Sequence, residues 1–298
     1  MKKISLTACA LIALIVLCAC PAKAQLLWKV EKPGSEKISY LLGTHHFAPL
    51  EILDSIKGLD EAVNRVDKLY GEIDMSLMRD PAAMISMQQN MLAPADSTLD
   101  KIYSVQELDS IGRVWTRVTK GMVPLQSVYS LKPAALSSQL VVLLMMDKFP
   151  KKNPAEPGID EMMQLWAKEA SKEVAGLEST EFQMQMLYGT PISEQRENLL
   201  NAVRDGGAKE IETALLVTDK YLSRDIDEIG KVMLDIDTDT ADNNERLVFS
   251  RNDNWVKILV DEMPQRSLMV VVGAGHLPTE RGLIAQLRKA GFEVTPID

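Results

Sequence analysis

Behind Lys2 and Lys3 the chain runs apolar from Ile4 to about Leu17, then turns to small residues from Ala19 to Ala24 before Gln25. That run is shorter than the ~20 apolar residues a membrane helix needs. With its basic start and small-residue end it predicts a secretory leader over residues 1–24. Beyond it the pattern changes. Residues 26–30 and 38–43 are short apolar or alternating runs around Pro33-Gly34-Ser35, which predicts a hairpin. Ile52, Leu53, Ile56, Leu59, Val63 and Val66 then recur at helical spacing, and residues 67–73 follow as a strand. Strand, helix and strand at these lengths predict a parallel pair with a crossover helix.

Residues 75–171 are Met-rich and helical in period, broken by Pro81, Pro94, Pro124, Pro133, Pro150, Pro154 and Pro157. They read as a large helical insertion, about residues 76–171. Residues 174–177 form a short strand ending at Glu178, and helical patterns resume over 181–188, 193–203, 208–222, 224–234 and 243–263. Residues 267–272 read as a buried strand, 273–276 as a loop, 279–290 as a helix with Thr279 as its N-cap, and 292–296 as a final strand. The pattern predicts an α/β fold over residues 25–298: a mixed, largely parallel sheet flanked by helices, with no transmembrane span.

The charge is -9, and loss of Lys2, Lys3 and Lys23 with the leader takes that by three to about -12. An acidic chain without a basic run argues against nucleic acid as a partner. The three cysteines, Cys9, Cys18 and Cys20, all lie in the leader, so the processed chain would carry no thiol for a disulfide or a metal. Cleavage after Ala22-Lys23-Ala24 is one expectation. The other is that Leu17-Cys18-Ala19-Cys20 acts as a lipobox, leaving Cys20 lipidated and the domain tethered to a membrane face. Both place the protein outside the cytoplasm, in the periplasm or secreted.

The candidate chemistry falls on strand ends. His46, Glu72, Glu178 and His276 each lie at or just past the C-terminal end of a predicted strand, the edge where ligands bind in open α/β sheets. The chain has only three histidines, and all lie in Gly43-Thr44-His45-His46 or Gly273-Ala274-Gly275-His276. Glycine there permits a sharp turn and close approach to a ligand. Two imidazoles and a carboxylate, His46, His276 and Glu72, suit one divalent ion (Mn, Co or Zn) with positions left for water and substrate. A metal-bound water loses its proton more easily, and Glu178 is the candidate base. His45, Gly43, Thr44, Gly273 and Asn252 are expected in the supporting shell or against substrate. Arg251, in Arg251-Asn252-Asp253-Asn254-Trp255, reads as a clamp for an acidic ligand or substrate carboxylate. Taken singly, each has a plainer reading: a Gly-x-x-His is a weak motif, a buried histidine is usually a hydrogen-bonded core residue, and a strand-end glutamate or helix arginine is usually solvated.

The order of Leu27-Trp28-Lys29-Val30, Tyr40-Leu41-Leu42-Gly43-Thr44-His45-His46, the Glu72 strand, Pro157-Gly158-Ile159-Asp160, Gly176-Leu177-Glu178-Ser179-Thr180, Arg251-Asn252-Asp253-Asn254-Trp255 and Val272-Gly273-Ala274-Gly275-His276-Leu277-Pro278 resembles the TraB/GumN family. That family also includes PrgY-like proteins and the Tiki proteases. The resemblance implies a fold similar to erythromycin esterase and the haem-binding ChaN-like proteins. It also implies that His46 and His276 are the family histidines, that His45 stands at a variable position and that Glu72 is a recurring acid. Tiki members are divalent-metal-dependent peptidases, which adds weight to metal hydrolysis. Two departures are Ser250, where the family often has Glu, and Thr279, where it often has Gly. The expectation is an exported metal-dependent hydrolase of peptidase type acting on a peptide or small molecule. Two alternatives stay open: a metal-free His/Glu esterase-like hydrolase, and a non-catalytic protein binding haem, a metal or a peptide signal.

Overall fold

The computed structural model describes residues 25–150, 156–234 and 243–297. The leader and Cys20 lie outside the described residues. Six strands, β1 (Leu27–Glu31), β2 (Ile38–Thr44), β3 (Lys68–Gly71), β4 (Glu173–Gly176), β5 (Leu268–Gly273) and β6 (Glu293–Pro296), form one sheet in the order β4-β3-β5-β2-β1-β6. Neighbours among β4, β3, β5 and β2 are parallel, while β1 runs antiparallel between β2 and β6. The expected α/β fold with a mixed, largely parallel sheet is what the chain adopts.

The hairpin forms as predicted, with Leu27 opposite Leu42 and Glu31 opposite Ile38. The parallel pair differs. Strands β2 and β3 share a direction but do not touch, because β5 pairs with both. The β5 run, Leu-Met-Val-Val-Val-Gly, is buried almost throughout, as a strand covered on both faces must be. Its local pattern shows that it is central but not which strands flank it.

The helix expected over residues 51–66 is split. A 3-10 turn covers Leu50–Ser55, Gly58 takes φ +75°, and only Leu59–Arg65 (α1) is α-helical. That left-handed turn is one glycine adopts without strain. Helices α2 (Pro81–Met91), α3 (Leu99–Ile102), α4 (Val105–Val118) and α5 (Pro133–Lys148) follow. A capping box between Ser104 and Glu107 starts α4.

Helix α6 (Ile159–Glu169) packs on β3 and β4 and belongs to the sheet layer. Helices α7 (Thr180–Tyr188), α8 (Ile192–Arg204) and α9 (Ala208–Leu222) come after β4, and Leu199 and Val203 of α8 share a second core with Ile111, Trp115, Leu136 and Leu140. The helical subdomain is therefore not the single insertion of residues 76–171. The apolar faces of α4 and α5 are closed by α8, which is supplied from beyond β4.

Helix α10 (Ile226–Leu234) precedes a π-helical turn, Glu245–Phe249, that runs into α11 (Ser250–Glu262). The last helix, α12 (Leu283–Lys289), starts later than expected and its N-cap is Gly282. Thr279 does not cap it. It sits at φ +76°, a conformation that crowds a β-branched side chain. Among the described residues no helix is long and apolar enough to cross a membrane. The four parallel strands finish together, Thr44 opposite Gly273 and Gly71 opposite Gly176, and this edge carries the candidate site.

Candidate functional site

Close packing at the strand ends comes first. A Cβ on Gly43 would stand 3.0 Å from Leu277 Cδ1 and 3.2 Å from the Ala274 Cα, so a side chain there would push the His276 loop away from β2. The Gly273 N–H donates to Glu72 Oε1 at 2.9 Å, which ties the end of β5 to the residue that follows β3.

Arg251, on the first turn of α11, occupies the centre. Its Nη2 donates to Glu72 Oε2 at 2.5 Å and to Glu178 Oε1 at 2.7 Å, and its Nε donates to Glu178 Oε2 at 3.0 Å. Gln183, on α7, donates to Glu72 Oε2 and Glu178 Oε1 at 3.3 and 3.2 Å. The Trp255 indole donates to Glu178 Oε2 at 3.2 Å and carries the guanidinium over its ring at 4.6 Å. Glu178 thus accepts four hydrogen bonds with its side chain only 4% exposed. Both oxygens of Glu178 are held by donors in this arrangement, whereas the sequence reading made it a free general base. Likewise Arg251 is spent on internal glutamates rather than held open for a substrate carboxylate.

His276 lies buried beside this cluster. Asn252 Nδ2 donates to the carbonyls of His276 and Arg281 at 3.1 and 2.9 Å. Its Oδ1 then faces His276 Nδ1 at 2.7 Å, so Nδ1 carries the proton and Nε2 presents its lone pair to Arg251 Nη1 at 3.3 Å. Burial lowers the His276 pKa to about 4 against the pull of Glu72, and the ring is neutral at physiological pH. Burial alone would raise the Glu72 carboxyl; His276, Arg251 and the Gly273 N–H outweigh it and hold it at about 2. Since His276 is uncharged at neutral pH, Arg251 and the Gly273 N–H act there.

His46 is placed differently. Its side chain is 77% exposed, and its Nδ1 meets Asp160 Oδ2 at 3.2 Å while Asp160 Oδ1 accepts from the Thr44 hydroxyl at 2.6 Å. The hydrogen bond to Asp160 raises the His46 pKa; the exposure of the ring lets water screen the pair and limits the rise. His45 turns inward. Its Nδ1 accepts from the Phe47 N–H at 3.1 Å, and its Nε2 lies 3.2 Å from Thr218 Oγ1. Because that hydroxyl already donates to the Ala214 carbonyl, Nε2–H is the donor. Burial, then the charge of His46, lower the His45 pKa to about 4, so His45 is a neutral tie between the β2 turn and α9.

The structure therefore brings Glu72, Glu178, Arg251, Asn252 and His276 into one cluster, with Gly43 and Gly273 packed against it. His46 and Thr44 share a second group with Asp160. Among the described residues no three His, Cys, Asp or Glu side chains stand together as a metal-holding group. The guanidinium of Arg251 fills the space between Glu72, Glu178 and His276. The proposed triad of His46, Glu72 and His276 does not fit a metal in this arrangement.

Asp160 and Gln183 are the residues that sequence reasoning missed. Asp160 stands in Pro157-Gly158-Ile159-Asp160, a motif already noted for its resemblance, and that was the one signal available. Gln183 carried none, since a polar residue on an amphipathic helix reads as solvated surface. No curated protein and no solved structure matches the chain. Across residues 26–296, nearly all of the chain described above, the sequence matches the TraB/PrgY/gumN family, and the protein belongs to that family.

Proposed function

We propose that this protein is an exported hydrolase that splits an acyl bond by acid–base chemistry at His46, with Asp160 orienting the ring. The observation that carries the reading is the Thr44–Asp160–His46 chain, 2.6 and 3.2 Å, which engages Nδ1 of a ring that is otherwise open to solvent. That is the carboxylate–histidine arrangement that holds an imidazole in one tautomer for proton transfer. Above the raised pKa of His46 the neutral ring takes a proton from water as the water adds to the acyl carbon; the C–O or C–N bond breaks and the leaving group receives that proton. The Arg251 cluster holds the strand ends rigid behind this step. The leader over residues 1–24 supports action in the periplasm or outside the cell, with Cys20 as a tether if the lipobox is used.

One observation favours the metal-dependent reading. Glu72 Oε1 and His276 Nε2 are 3.6 Å apart, near the roughly 3.3 Å that separates two donors on an ion bound at ~2.0 Å. That reading requires Arg251 Nη1 to withdraw from His276 Nε2, so this contact and the metal exclude each other. Elemental analysis and calorimetry with Mn, Co and Zn on wild type, His46→Ala and His276→Ala decide between the two, alongside ester and peptide hydrolysis with and without chelator. Acid–base chemistry predicts turnover that survives the chelator and disappears in His46→Ala. About one equivalent of metal, lost in both variants with the fold intact, establishes the metal peptidase instead. Absence of turnover on every substrate points to a binding protein.

A further inference from the structure

Next to the site, between the β2 turn and helices α5 and α8, lies a cavity of about 530 Å³. It is within the range of small-molecule sites. His46 and Phe47 stand at its wall, and most of the remaining lining is aliphatic, including Val141, Leu144, Leu187 and Val203.

Two of its polar side chains, Gln195 and Ser138, are spent on the protein itself. Gln195 accepts from the Ala134 N–H at 3.1 Å and donates to the carbonyls of Tyr188 and Thr190 at 3.1 and 2.7 Å. The Ser138 hydroxyl donates to the Ala134 carbonyl at 3.0 Å. Helical walls also offer no free backbone groups away from their ends. A peptide laid along this lining would bury amides without partners, which is costly, whereas an alkyl chain asks for none.

Arg246 is the exception. On the π-helical turn it lines the same cavity, its Nη2 donates to Asn243 Oδ1 at 2.9 Å, and its Nη1 is buried with no hydrogen-bond partner among the described residues. An unpaired guanidinium N–H is a strong donor for an anionic oxygen.

We propose that this cavity binds a linear aliphatic acyl chain and that Arg246 holds an oxygen of its carboxyl end. The substrate class is then an acyl ester or amide, and the bound product a fatty carboxylate. This assignment of substrate rests on the hydrolase reading, but the binding itself needs no turnover.

The test is calorimetric titration of the full protein with sodium decanoate below its micelle concentration. Wild type should bind one equivalent. Arg246→Gln should weaken that by about tenfold or more, as loss of a charge-assisted hydrogen bond does, and Arg246→Lys should restore part of it. Ala202→Leu, which narrows the cavity, should weaken decanoate and 1-decanol alike, while Arg246→Gln should spare 1-decanol. Melting temperatures confirm that each variant folds. Absence of saturable decanoate binding, binding indifferent to both Arg246→Gln and Ala202→Leu, or equal competition by an apolar tetrapeptide would overturn the proposal. His46→Ala should still bind decanoate yet leave decanoyl esters intact. Binding without cleavage in wild type therefore defeats the hydrolase reading alone, and cleavage of other esters without decanoate binding defeats this one alone.

Discussion

The two Gly-x-x-His motifs are spelled alike, end neighbouring parallel strands and place their histidines in opposite physical states. His46 is 77% exposed and paired with a carboxylate, while the His276 side chain is 6% exposed and pressed against a guanidinium. One pKa is raised by its partner and the other is lowered by burial. The motif therefore specifies a position at a strand end. The neighbours delivered by other segments, Asp160 to one and Arg251 with Asn252 to the other, decide which imidazole can take a second proton and become charged at neutral pH.

The sharpest way to break this contrast is His46→Ala. Hydrolysis should fall about 10²–10⁴-fold, the range for loss of a general acid–base group, with unfolding free energy changed by no more than about 0.5 kcal/mol because the ring is exposed. A comparable loss of activity accompanied by unfolding would assign His46 to the structure instead. Arg251→Met strikes the other side. It leaves Glu72 and Glu178 facing each other without their cation and should cost about 3–5 kcal/mol in urea unfolding, partly relieved by adding Glu72→Gln.

The pH dependence of stability should then show two opposite slopes. The pKa of His276 is depressed, so between about pH 6.5 and pH 4 the unfolded chain binds a proton that the fold refuses; stability falls as pH drops, by about 3 kcal/mol at most. The pKa of His46 is raised, so its contribution is complete below about pH 6.5 and lost as pH rises through the folded value. Exposure keeps that contribution under about 1 kcal/mol. Urea midpoints across pH for wild type, His46→Ala and His276→Asn separate the slopes, and equal slopes in all three proteins would contradict the assignment. Asp160→Asn should move the His46-dependent limb of the rate profile to lower pH, and an unmoved limb would remove Asp160 from the proposed dyad. The smallest effect concerns the loop behind His276: Thr279→Gly should raise stability by about 1 kcal/mol by relieving the φ of +76°.

Much of the fold was legible. Short apolar or alternating runs marked all six strands, and the near-continuous apolar run of β5 marked a strand covered on both faces. Helix breaks were harder to read. Gly58 splits a pattern that stays periodic on both sides, and the π-helical turn before Ser250 leaves no mark in hydrophobic spacing. The helical subdomain was recognised by composition but assigned too small a share of the chain, since periodicity shows that a face is apolar without naming the helix that covers it.

The same division runs through the site. Alone, the sequence determined which residue types stand at the strand ends: two histidines, two glutamates and the glycines that let loops pack against them. It also determined the acidic balance and the absence of cysteine beyond residue 20. Only the tertiary structure decided that Arg251 lies between the glutamates, that Asp160 reaches His46 across 114 positions of chain, and that Arg246, with its buried N–H, lines an aliphatic cavity. Strand ends follow from local patterns of burial. Charge pairing depends on which distant segments the sheet order brings together, and no local pattern records that order.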